Sequence, residues 1–77
     1  MDLTGDRFAA PYLRRDRDEL VALVPPEIER VTVTHGGGTF SAFLWINGER
    51  VAESHGSLTV RGALLKAAYA YGQRVTA

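Results

Sequence analysis

Alternation of apolar and polar positions is clearest in the middle of the chain, where Phe40-Ser41-Ala42-Phe43-Leu44-Trp45-Ile46 is followed by Asn47-Gly48. A period of two reads as a strand, and Asn-Gly after it is the strongest short-range hairpin signal. The alternation places Phe40, Ala42, Leu44 and Ile46 on one face and Ser41, Phe43 and Trp45 on the other. This strand is therefore apolar on both sides. Upstream, Glu29 to His35 predicts a strand with Val31 and Val33 inward and Thr32 and Thr34 outward; Gly36-Gly37-Gly38 and Thr39 form the connecting loop. Downstream, a two-residue turn pairs Ile46 with Glu49, Trp45 with Arg50, Leu44 with Val51 and Phe43 with Ala52, and the third strand runs out near Ser54. In that register the Arg50 guanidinium stacks on the Trp45 indole.

Helical spacing flanks the strands. Leu13, Leu20, Leu23 and Val24 make a narrow apolar stripe, beginning at Pro11 or at a capping box of Asp16 and Glu19, and Pro25-Pro26 ends it. Arg14–Asp18 and Arg15–Glu19 are spaced as ion pairs on its exposed side. The last helix starts at Ser57 to Thr59, with Val60, Leu64, Ala67, Ala68, Tyr71 and Val75 facing the sheet and Arg61, Lys66, Tyr69 and Gln73 facing away. Residues 1–10 read as an N-terminal arm, and residues 11–77 as one α-β-β-β-α domain. The fold class is α+β, a three-stranded antiparallel sheet with helices packed on one face.

The helices cover one side of the sheet only, so Phe43 and Trp45 need another cover. Either the arm folds over them with Phe8 and Tyr12, or another chain does, its own copy or a different protein. Large aromatics beside an arginine have the composition of interface anchors. Phe43, Trp45, Arg50 and Ala52 are the candidate surface.

Composition narrows the alternatives. The 77 residues have no cysteine, which leaves neither disulfides nor thiolate metal ligands to supplement a small core. Nine basic and nine acidic residues cancel, which excludes a nucleic-acid binder built on overall charge. The last helix is nevertheless locally basic through Arg61, Lys66 and Arg74. His35 and His55 do not make a metal site without a third ligand, and no cofactor is implied. The triple glycine lacks the Lys-Ser/Thr of a phosphate loop. No nucleophile–base constellation stands out, so the expectation is a non-catalytic protein. No signal peptide or membrane span is seen, and the expected location is the cytoplasm.

Several segments together carry a family likeness: Pro25-Pro26-Glu27-Ile28-Glu29 leading into Val31 and Val33, then Phe40 to Gly48, Val51, Glu53, Gly56 and the Ala67-Ala68 pair. Over roughly residues 16 to 72 the chain resembles the double-stranded-RNA-binding domain. The resemblance implies the α-β-β-β-α fold. It also implies duplex contacts at the start of the last helix and in the first loop. There this chain has Thr59-Val60-Arg61-Gly62 instead of a basic cluster, and keeps a histidine, His35, without the family's proline. Members lacking the basic cluster serve as protein-interaction modules. The reading is thus an accessory or inhibitor-type interaction module of a bacterium or phage, self-association being its simplest form. The alternative is duplex RNA or DNA binding through Arg14, Arg15, Arg17, His35, Arg61 and Lys66.

Overall fold

The computed structural model describes residues 1–76; Ala77, which the expected domain included, lies outside the described residues. In chain order the elements are β1 (Asp2–Gly5), α1 (Ala10–Arg14), α2 (Arg17–Val21), β2 (Arg30–Gly36), β3 (Thr39–Ile46), β4 (Glu49–Ser57) and α3 (Val60–Thr76). The sheet has four strands in the order β1-β2-β3-β4. The three expected strands pair antiparallel, but β1 joins the edge of β2 in parallel. The sheet is therefore mixed, and the segment expected to be an arm is part of it. Leu3 is the reason: flanked by Asp2 and Thr4, it alternates inward and is buried. A parallel neighbour needs a crossover, which α1 and α2 supply across the inner face.

Gly5 lets that crossover sit close, since a Cβ there would lie 2.8 Å from Leu13 Cδ1. The Asp6 carboxylate accepts from the Phe8 and Ala9 amides at 3.0 and 2.7 Å, turning the chain into α1. One continuous first helix is not formed. The helix breaks at Arg15–Asp16, and Asp16 stands at the N-cap of α2 without a side-chain capping bond. The break also removes the continuous register needed for the Arg14–Asp18 and Arg15–Glu19 pairs. Glu19 instead meets Arg61 of α3 at 3.2 Å. Leu13, Leu20 and Val24 still reach the core from their separate pieces.

Both hairpins close on two residues with positive φ, Gly37-Gly38 (61° and 78°) and Asn47-Gly48 (52° and 73°), as tight turns matched to strand twist require. Ile46 pairs with Glu49 and Trp45 with Arg50 as expected, but an irregularity in β4 at Val51 shifts the rest. Leu44 then pairs with Ala52, and Phe43 with Glu53. A bulge adds one residue to one strand, which turns the side chains after it to the other face until a second shift, between Ala42 and Phe40, sets Phe40 opposite Ser57.

The core gathers Leu3, Ile28, Val31, Val33, Leu44 and Leu64. Helix α3 packs on it with Val60, Ala63, Leu64 and Ala67. The buried Ser54 hydroxyl donates to the Ala63 carbonyl at 2.6 Å and ties β4 to the helix. Val75, expected inward, is 62% exposed. Tyr71 donates to Glu27 at 3.3 Å. Partial desolvation and then the Glu27 carboxylate push its phenol above the usual value. Among the described residues no helix is long and apolar enough to cross a membrane.

Candidate interaction surface on the bare sheet face

Among the described residues every helix lies on the inner side, so the outer face is covered there by its own side chains alone. Pairing fixes their arrangement. Asp2, Arg30, Trp45 and Arg50 form one row across the four strands, and Thr4, Thr32, Phe43 and Glu53 form the next. Thr34 and Ser41 continue the face, with His55 beside Ser41.

Trp45 is held from β2. Its indole N–H donates to Thr32 Oγ1 at 3.0 Å, and the Arg30 guanidinium lies 4.8 Å from the ring centroid. Phe43 is framed from β4, with Arg50 5.4 Å over its ring and His55 edge-on at 5.5 Å. These charged groups are themselves linked. Arg50 Nε approaches Glu53 at 3.5 Å, the other Glu53 oxygen bonds His55 Nε2, and His55 Nδ1 meets the Ser41 hydroxyl at 3.1 Å. When neutral, the ring donates from Nε2 to the carboxylate and accepts from Ser41 at Nδ1. The His55 hydrogen bond, with the charges of Arg50 and His55 adding to it, holds the Glu53 carboxyl below its ordinary value.

The two aromatic rings are half-buried, shielded by polar neighbours that keep their charged heads in water. They are not under the N-terminal segment. Phe8 and Tyr12 are 58% and 54% exposed, and Tyr12 packs against His35 and Phe40 on the other side. Two further expectations change. Arg50 lies over Phe43, while Arg30 takes the place on Trp45. Ala52, expected beside Phe43, packs against the core because the irregularity at Val51 turned it inward. Phe43, Trp45 and Arg50 thus share the face. Ser41 lies on this face as the alternation has it, and Arg30, Glu53 and His55 were missed as members. Parity with Thr32 and Thr34 was sufficient to find Arg30; only the bulge places Glu53.

The residues of the nucleic-acid alternative are arranged differently. Arg14, Arg15 and Arg17 lie at the α1–α2 junction, interleaved with Asp16, Asp18 and Glu19. Arg61 is ion-paired with Glu19. His35 is in β2, as the expected strand had it and not in the loop that the resemblance implies; its ring stacks on Phe40 at 4.0 Å and its Nδ1 meets the Thr39 carbonyl at 3.0 Å. Lys66 is exposed on α3. These groups make no continuous basic strip.

A 380 Å³ groove opens on the helical side, lined by Tyr12, Leu20, Phe40, Leu58 and Val60 with Asp16, Thr59 and Arg61 at its polar positions. Among the described residues no three His, Cys, Asp or Glu side chains are grouped to hold a metal ion. No protein-family model matches the chain, and none of the curated proteins matches it significantly.

Proposed function

We propose that the chain is a small, non-catalytic, cytoplasmic interaction module whose bare sheet face is bound by another protein chain. The observation that carries this reading is the position of Trp45 and Phe43, adjacent on the central strand β3 and uncovered by any helix. Hydrogen bonds and guanidinium contacts from β2 and β4 hold both rings in place. Pre-positioned aromatics flanked by arginine lose little side-chain freedom on binding and contribute most of the energy of typical interfaces. Removing their remaining apolar area from water is worth roughly 1–3 kcal/mol.

We keep the resemblance to the double-stranded-RNA-binding domain as part of this proposal, in its protein-binding form. The order α2-β2-β3-β4-α3 agrees with it. Arg61, at a position where the family grips a phosphate, is engaged by Glu19, and His35 is packed between Tyr12 and Phe40.

Site-specific photo-cross-linking tests the reading. A photoreactive phenylalanine analogue replaces Thr34 on the outer face in one variant and Tyr69 on the exposed side of α3 in another. Irradiation in cells is expected to give a nuclease-resistant protein adduct from position 34 and none from position 69. An adduct destroyed by ribonuclease, or none from position 34, overturns it.

A further inference from the structure

We infer that the occupant of the bare face is a second copy of this chain, laid face to face about a two-fold axis parallel to the strands. This rests on the reading of the sheet face as a contact surface and adds the identity and geometry of the partner.

The argument comes from the first row of the face. Leu3 is buried, so Asp2 shares the outer side with Arg30, Trp45 and Arg50, its neighbours in register. The row is therefore acidic at the β1 edge and basic at the β4 edge. A half-turn about an axis along the strands reverses the strand order while keeping each residue at its height. It lays β1 of one copy over β4 of the other, and β2 over β3. Asp2 then faces the second copy's Arg50, and Trp45 faces the second copy's Arg30, each twice by symmetry. In the next row Phe43 faces Thr32 and Glu53 faces Thr4. No like charges oppose one another in either row. Asp2 makes no ion pair within the chain among the described residues, while Arg50 shares its charge with Glu53 at 3.5 Å and keeps half of its side chain exposed to a partner.

Area agrees with this occupant. Four strands about 4.8 Å apart and roughly 20 Å long give a footprint of about 400 Å² per copy, and sheets stack about 10 Å apart, within reach of arginine and tryptophan side chains. Two such faces bury about 800 Å², below the range of stable interfaces, which makes the dimer a weak and reversible one.

Sedimentation equilibrium of the intact chain with Asp2→Arg, Arg50→Asp and the double variant tests the proposal. The wild type is expected to dimerise reversibly. Each single reversal should raise the dissociation constant at least ~10-fold, the equivalent of about 1.4 kcal/mol. The double reversal should restore it to within a few-fold, because opposite charges then face each other again across the interface, with their signs exchanged. Lys66→Glu on α3 should change nothing, and circular dichroism confirms that every variant folds. A monomer at every concentration overturns the second copy, as does a dimer indifferent to the reversals. If position 34 then cross-links to a different protein, the proposed function survives and this inference alone falls.

Discussion

The two faces of one sheet solve the same problem in different ways. Strand β3 sends Phe40, Ala42 and Leu44 inward and Phe43 and Trp45 outward. The inward set is sealed by α1, α2 and α3 until Ala42 and Leu44 have no exposure. The outward set is shielded only by arginine, threonine and histidine side chains of the flanking strands. The helices of the described residues form one layer, and that layer packs on the inner face. Apolar pattern alone therefore identifies two surfaces, and topology decides which is sealed by helices and which is left bare.

Substitution at neighbouring positions separates them most strongly. Leu44→Ala opens a cavity in the sealed face and should cost about 2–5 kcal/mol in chemical denaturation. Trp45→Ser removes a half-buried ring and its bond to Thr32, with a loss of about 1–2 kcal/mol, while abolishing self-association. Equal destabilisation by the two would erase the distinction between the faces. Gly5→Ala tests how tightly the crossover is fitted against β1. The added methyl meets Leu13 and the Ala10 backbone, and a loss of about 1–3 kcal/mol is expected. Wild-type stability would show that the inner layer is looser than described.

The smallest effect concerns the polar cover of the outer face. Glu53 titrates below its ordinary 4.5 in the folded chain. A depressed carboxyl stabilises the fold above about 4.5 and loses that contribution as the pH falls through the lowered value. Carbon-detected NMR titration should place the Glu53 midpoint below 4.5, and His55→Ala should move it up by removing the largest cause. An unmoved midpoint would break the link between Glu53 and His55.

The division of the sheet was legible in the sequence because a period of two assigns every residue of β3 to a side, and Asn47-Gly48 fixes the first two pairs of the hairpin. What followed was not. The irregularity at Val51 exchanged Ala52 for Glu53 on the outer face, and a one-residue insertion leaves no mark on an alternating pattern. Strand β1 escaped notice because four residues with one buried leucine carry too little periodicity to distinguish a strand from an arm. The break at Asp16 was hidden by a stripe that two short helices satisfy as well as one long helix. His35 closes the expected strand and lies in β2, stacked on Phe40, whereas the family resemblance assigns it to the loop.

Trp45 is the sole tryptophan, so acrylamide quenching of its fluorescence reports on the centre of the outer face alone. Measured over a dilution series, the quenching constant should rise as the dimer dissociates and the indole loses its cover. Strong quenching that is the same at every concentration would contradict the account, because the face would then stand open to water with no second chain upon it.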